Sequence, residues 1–378
     1  MIEAVALMSV FGLGIAFSVL GALKLDLTKV LNIDDAQFGK LISALMFTSI
    51  FVVLAFGPLV DMFGYKPIAI LGFILGFVAV FMLISSKSYG MAVLSCVVLG
   101  VGAMCMNLGN TLIPMVLYDG QNAAAAANFG NVFFGVGAFL TPLLIGMLLS
   151  KLGYKTTGMI IAFILIVPVI FALIATYPTL EKTGVTFGQA IGSAFGLLAN
   201  PVVIISALAL FCYIGIEVSM GGFITTYLTS VGFEGKSANM YLSSFWIALM
   251  VARLITSQFV TPEVGAWVIQ ILALVATVSI GLMVATKSKR LGALFVILTG
   301  FAFGPIFPTI VGVSFSKVEP SLYGSTFGII FAVGLLGGTT IPAAIGSMSK
   351  GKTIQKSLLI AMVTAFVLFV VAFIMGRV

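Results

Sequence analysis

Glu217 is the one acidic residue that falls deep inside a long apolar run, within Tyr213-Ile214-Gly215-Ile216-Glu217-Val218-Ser219. A carboxylate among apolar side chains is costly and marks a functional position by default. It can accept a hydrogen bond from a solute hydroxyl, carry a coupling proton, or anchor a gate. The plainer alternative is a structural acid that is protonated or hydrogen-bonded. Arg253 lies nearer the end of the next apolar run, behind Ser243-Ser244-Phe245-Trp246. There it can snorkel or pair with an acid, and a gating role is expected of it. Neutral polar groups recur inside other runs: Asn107, Asn110, Asn128, Asn131, Ser325, Thr326, Thr339 and Thr340. Their amides and hydroxyls, with Tyr213, match the hydroxyls of a polar solute, and Trp246, Phe134 or Phe327 can stack on its apolar face. The competing reading for each is an interhelical hydrogen bond, typically under ~2 kcal/mol.

Metal and nucleophile chemistry find little here. Histidine is absent, which removes the usual metal ligand and the usual near-neutral proton shuttle. Cys96, Cys105 and Cys212 all sit inside apolar runs, with no disulfide or zinc spacing. No G-x-x-x-x-G-K-[ST] loop is present, so ATP drive is not expected. The expectation is no cofactor and no metal. An integral-membrane enzyme would show clustered acids or histidines at the membrane surface, and a receptor or scaffold would carry a sizeable soluble domain; neither pattern occurs.

The elements that must position these residues are apolar from end to end. Of the 378 residues, 61% are hydrophobic and 8% charged, with a mean hydropathy of +1.27, against roughly 25% charged in a soluble domain. About 20 apolar residues in a helix cross the hydrocarbon core. Twelve such spans can be drawn: 4–23, 38–59, 68–85, 89–117, 123–149, 157–176, 201–228, 236–259, 264–285, 291–316, 320–348 and 355–376. Barrel strands would alternate apolar and polar; these runs do not. Span one lacks a basic leader and a cleavage site, so it reads as a retained helix. The fold expected is all-α and integral to the membrane, with twelve helices in two pseudo-symmetric six-helix bundles.

The longest polar break, 177–200, divides the spans six and six and carries room for a short interfacial helix at 186–198. The domains expected are a bundle at 1–176, a cytoplasmic linker at 177–200 and a bundle at 201–378. A shift of 198 residues lays Gly102 on Gly300, Thr111 on Thr309, Asn128-Phe129-Gly130 on Thr326-Phe327-Gly328, and Phe133 on Phe331. Chance matching among Gly- and Phe-rich helices is the alternative to a repeat. Transporters are commonly built from such repeats around a midplane site. Pro305 and Pro308 interrupt helical bonding in span ten, and backbone freed that way often lines a cavity.

After span two the chain reads Gly57-Pro58-Leu59-Val60-Asp61-Met62-Phe63-Gly64-Tyr65-Lys66-Pro67. The spacing of Gly57, Asp61, Gly64 and Lys66 resembles the signature loop of the major facilitator superfamily. That resemblance implies a cytoplasmic loop between helices two and three, with Asp61 at a neighbouring helix end holding one gate conformation. Tyr65 departs from the usual basic residue there. Gly300 to Ile310 (GFAFGPIFPTI), the Tyr213–Ser219 stretch, Ser243–Trp246 with Arg253, and Asn128–Ala138 with Pro142 together look like the fucose/hexose permease-like branch. This resemblance runs over nearly the whole chain and implies a monosaccharide substrate, often with proton coupling. Its proton-coupled members carry carboxylates in helices one and four. Span one here has none, and span four offers Asn107 and Asn110, so coupling would fall to Glu217.

Charge gives a conflicting orientation. With the N-terminus cytoplasmic, Lys66, Lys182, Arg253, Lys317 and Arg377 lie inside, and the other 13 of 18 basic residues lie outside, against the positive-inside rule. The family resemblance places both termini in the cytoplasm and the protein in the inner cell membrane, and that orientation is kept. An outer basic surface leaves an organic anion, or a drug-like amphiphile, open as substrate. Scattered short basic stretches make no nucleic-acid patch. The function expected is secondary-active or facilitative transport of a small polar solute by alternating access. H+ or Na+ is the candidate coupling ion, membrane lipid the surroundings, and a monomer the expected unit.

Overall fold

A computed structural model describes residues 1–117, 123–178, 197, 199–256, 260, 262–318, 323–350 and 352–377, without the side chains of 56–59, 61–62, 111, 114–115, 123–128, 262–263 and 323–325. The interfacial helix expected at 186–198 and most of the linker lie outside these residues. The described chain is helical throughout: α1 (Ile2–Leu31), α2 (Asp35–Phe63), α3 (Tyr65–Ser85), α4 (Tyr89–Met106), α5 (Leu108–Leu117), α6 (Ala123–Ile166), α7 (Pro168–Ile174), α8 (Pro201–Ser230), α9 (Gly235–Thr256), α10 (Pro262–Ala285), α11 (Lys289–Phe303), α12 (Ile306–Phe315), α13 (Tyr323–Met348), α14 (Ile354–Ser357) and α15 (Leu359–Met375). Among the described residues, eleven helices are long and apolar enough to cross a membrane. One of these, Phe129–Ile174, bends at Gly153, whose φ of 74° and ψ of 170° are not helical.

Several boundaries differ from the sequence reading, for local reasons. Span one reads as 4–23 in the sequence, yet α1 continues through Asp26 and Lys29 to Leu31 and is ~45 Å long at 1.5 Å per residue. α2 starts at Asp35 rather than 38 because a capping box fixes it: the Asp34 side chain accepts from the Gln37 N–H, and the Gln37 side chain accepts from the Asp34 N–H. At its other end α2 runs through Gly57, Pro58 and Asp61 to Phe63, so the expected eleven-residue loop shrinks to a turn at Gly64. Gly64 has φ 77°, which a side chain would strain.

Helix breaks fall at matching places in the two halves. α5 and α12 are offset by 198 residues at both ends (108 to 306, 117 to 315). Asn107, between α4 and α5, therefore stands opposite Pro305, between α11 and α12. The proline break was legible in the sequence; the asparagine break was not.

Close backbone approaches tie the first half to the second. α1 meets α8 where a Cβ on Gly21 would fall on the Gly221 carbonyl, and the Thr225 hydroxyl donates to the Gly21 carbonyl at 3.2 Å. α2 meets α13 where Gly39 faces the Pro342 carbonyl and Gly346 the Asp35 carbonyl; the Ser43 hydroxyl donates to the Thr339 carbonyl at 2.6 Å. All these contacts sit toward the end of the molecule that holds the 32–34 turn. Large apolar side chains such as Phe51, Ile170, Trp267 and Val363 point outward, the pattern of a surface bathed in hydrocarbon.

Candidate functional site

Tyr213 and Glu217 are one turn apart on α8, so they share a face. The Tyr213 hydroxyl donates to Glu217 Oε1 at 2.8 Å. Arg253 reaches the same oxygen from α9, with Nη2 at 3.6 Å, and the two charged side chains are only 10% and 14% exposed. The guanidinium has further partners. Nη2 lies 3.5 Å from the Tyr213 oxygen, Nη1 donates to Asn131 Oδ1 on α6 at 3.3 Å, and Nε donates to the Gly304 carbonyl at 2.7 Å.

The Gly304 contact follows from the sequence. In an α-helix the carbonyl of residue 304 would accept from the N–H of residue 308, and residue 308 is proline, which has none. The break at Gly304–Pro305 thus leaves an oxygen that needs a donor, and Arg253 supplies it. A buried ion pair with one partner removed is strongly destabilising, whereas a pair whose remaining donors are satisfied can persist.

Asn107 and Asn110 flank the matching break in the first half. Asn110 Nδ2 donates to Asn107 Oδ1 at 2.8 Å, and Asn110 Oδ1 lies against Gly130 of α6. Gly130 neighbours Asn131. Polar side chains therefore stand at both breaks, with the Gly130–Asn131 step of α6 between them.

Aromatic rings surround these groups. Tyr213 packs edge-on to Phe303 and tilted to Phe307, with centroids 6.0 and 6.2 Å away. Phe303 meets Phe245, Phe245 meets Trp246, and Trp246 meets Phe134 of α6, at 5.9, 5.1 and 6.4 Å. On the other side Phe307 meets Phe331, on which Phe327 stacks at 5.3 Å. Trp246 Nε1 and Thr326 Oγ1 are buried without a hydrogen-bond partner; such groups are uncommon and call for an occupant or a function.

The structure thus gathers Tyr213, Glu217, Arg253 and Asn131 into one cluster, sets Asn107 and Asn110 beside it, and places Trp246 and Phe327 in the aromatic series on opposite sides of Tyr213. Thr339 and Thr340 are engaged by their own helix, donating to the Leu335 and Leu336 carbonyls. The side chains of Asn128, Ser325 and Asp61 lie outside the described residues, and Gly57 contributes only helical backbone. Gly64 and the exposed Lys66 stand at the end of α2 remote from Asp35. Among the described residues no group of His, Cys, Asp or Glu could hold a metal ion.

A second buried charge escaped the sequence reading. Lys24 of α1 is 1% exposed, 2.8 Å from Asp35 of α2. Its ammonium also lies over the rings of Phe38, at 4.9 Å, and of Phe223 on α8, at 3.9 Å. Cation–π contact of this kind is worth more when desolvated. Lys24 was missed because the polar run after residue 23 looked like a loop; the capping box at Asp34 was the available signal that the loop is only three residues long.

Known proteins agree with this architecture. Over 99% of the chain it resembles nucleoside transporter NupG, with a TM-score of 0.79 at 16% identity, covering 100% of that chain. It resembles the E. coli fucose:proton symporter FucP with a TM-score of 0.67 at 18% identity, over 99% of this chain and 98% of that one. By sequence it is similar to protein TsgA homologs of Serratia proteamaculans, 25% identical over 64% of this chain and 61% of that protein, and of Erwinia tasmaniensis, 29% identical over 51% and 48%. The matched stretch spans about three-fifths or less of those relatives' length. The family model for the Major Facilitator Superfamily matches residues 5–342. A multi-pass helical chain with paired helix breaks and this match over most of its length belongs to the major facilitator superfamily, a family of small-solute transporters.

Proposed function

We propose that this protein moves a small, uncharged, hydroxyl-rich solute, a monosaccharide or a nucleoside, by alternating access between two six-helix bundles. The bundles would be residues 1–176 and 201–378, joined by the 177–200 linker, with the Gly153 bend separating two of twelve crossings. It would work as a monomer in the inner membrane with both termini cytoplasmic.

The observation that carries the reading is the polar side chains standing at both helix breaks, with Glu217 paired to Arg253 at the second. Arg253 favours an uncharged solute over an anion: Glu217 offsets its charge, and Nε, Nη1 and Nη2 already face the Gly304 carbonyl, Asn131 and Tyr213. The asparagine amides, Trp246 Nε1 and Thr326 Oγ1 remain for neutral hydroxyls. The solved neighbours carry a nucleoside and fucose, two solutes of that chemistry.

Glu217 is the candidate for proton coupling and Asn131–Arg253 a candidate gate between bundles. Gly57, Asp61, Gly64 and Lys66 are candidates for a second gate at the other end. Uptake of labelled hexoses, deoxyhexoses and nucleosides into proteoliposomes tests the proposal. The expected result is uptake of one class, abolished by Glu217→Gln in protein that unfolds at the wild-type temperature. Uptake of organic anions alone, or full activity of Glu217→Gln, would overturn it. An inward proton gradient should raise the rate if Glu217 couples, and a flat response would mark simple facilitation.

A further inference from the structure

The turns at 32–34, 87–88, 231–234, 286–288 and the described residues 349, 350, 352 and 353 meet at one end of the molecule. Lys350 pairs with Asp34 at 3.4 Å, Gln355 donates to the Thr286 carbonyl at 3.1 Å, and Tyr89 to the Gln37 carbonyl at 3.2 Å. Lysines are concentrated in these turns and the helix ends beside them, among them Lys87, Lys236, Lys287 and Lys352. Between the last turn of α13 and the first turns of α15 a groove of about 440 Å³ opens outward, walled by Met348, Leu359, Ile360 and Val363 with Lys352 and Lys356 at its loop end. The wall runs on into the outward face of α15, where Phe366, Val367 and Val370 are exposed.

The two lysines differ from their neighbour Lys350, which Asp34 neutralises. Among the described residues, neither Lys352 nor Lys356 stands in an ion pair. Two unpaired ammonium groups at the end of an apolar groove, at the level where transmembrane helices leave the hydrocarbon, complement a molecule with an anionic head and a hydrocarbon tail. Clustered basic residues at that level attract anionic lipid headgroups.

We propose that this groove is a binding site for one anionic phospholipid, its phosphate held between Lys352 and Lys356 and one acyl chain lying along Leu359, Ile360 and Val363. The site is separate from the solute path, because α15 contributes nothing to the Glu217 cluster.

Native mass spectrometry of the full chain in neutral-detergent micelles tests it, with phosphatidylglycerol and phosphatidylcholine of identical chains as probes and glycerol phosphate as the tail-less control. At about 1 kcal/mol per lysine near a headgroup, phosphatidylglycerol should bind about 30-fold more tightly than phosphatidylcholine. The paired substitution Lys352→Gln with Lys356→Gln should remove that preference, and the paired change to Arg should keep it. Lys287→Gln with Lys289→Gln, at the same end but not lining the groove, should leave it intact. Equal binding of the two lipids would overturn the proposal. So would an equal loss in the Lys287/Lys289 variant, which would mean diffuse attraction, or glycerol phosphate binding as tightly as the lipid.

Discussion

Replacing Gly21 by Ala puts one methyl group where α1 and α8 touch. A Cβ there falls on the Gly221 carbonyl and crowds the Gly222 Cα, and backbone atoms cannot turn aside as a side chain can. The helices must separate, and the Thr225 hydroxyl bond to the Gly21 carbonyl stretches with them. Overpacking of this kind costs ~1–3 kcal/mol. The cost falls only on the arrangement in which α1 and α8 are together, so ~2 kcal/mol shifts the balance toward the separated arrangement about 30-fold. Spin labels at the exposed positions Val30 and Ser230, near the tips of α1 and α8, report the separation by pulsed electron resonance. The variant should populate a second, longer distance. Gly222→Ala should do so weakly, because its Cβ clashes only with the flexible end of Ile42, and Gly312→Ala, with nothing within 4 Å, not at all. A folded Gly21→Ala protein with the wild-type distance distribution would refute the reasoning.

Asp35→Asn should lower the unfolding temperature in micelles far more than Lys24→Met. It strands a buried ammonium, for which ~3–5 kcal/mol is typical, whereas Lys24→Met leaves a carboxylate that is 27% exposed and can hydrate; equal shifts would argue against a desolvated Lys24. Trp246→Phe keeps an aromatic group, removes the unpartnered N–H and leaves a smaller side chain in a buried site. It should raise the KM for transport about tenfold, the worth of one hydrogen bond of ~1–1.5 kcal/mol, and lower the unfolding temperature through the cavity it leaves; an unaltered KM would place that N–H away from the solute. The Asp34 carboxyl is held below its ordinary 3.8, first by the Gln37 N–H and then by Lys350. A lowered folded value means its capping contribution is complete above about pH 4 and is lost as pH falls through that value. Asp34→Asn should therefore flatten the acid limb of the stability profile, read by thermal unfolding between about pH 5 and 3.

Hydrophobic runs long enough to span a bilayer are hard to misread, and that is why the helices were legible while their ends were not. Asp26 and Lys29 look like the start of a loop, but a helix that outruns the hydrocarbon carries polar residues without ending. Pro305 announced its break because proline lacks an N–H, whereas Asn107 breaks its helix with no such chemical mark. Glu217 stood out because a lone acid in an apolar run is rare. Its pairing with Arg253 was hidden, since residues on different helices have no spacing in sequence that records their meeting. Lys24 is the same problem from the other direction: its partners Asp35 and Phe38 are near in sequence, but Phe223, which closes over it, is not.

The proline at residue 308 has a reach beyond its own helix. It denies the Gly304 oxygen a donor from below, so the guanidinium that fills the vacancy is on permanent duty: were it to turn toward a passing guest, a bare carbonyl would be stranded in oil. The acid beside it carries no such debt to the backbone, since its hydrogen-bond partner is a phenol one turn away on its own helix. Of the two opposite charges, the base is tied to the main chain of a neighbouring helix and the acid is not.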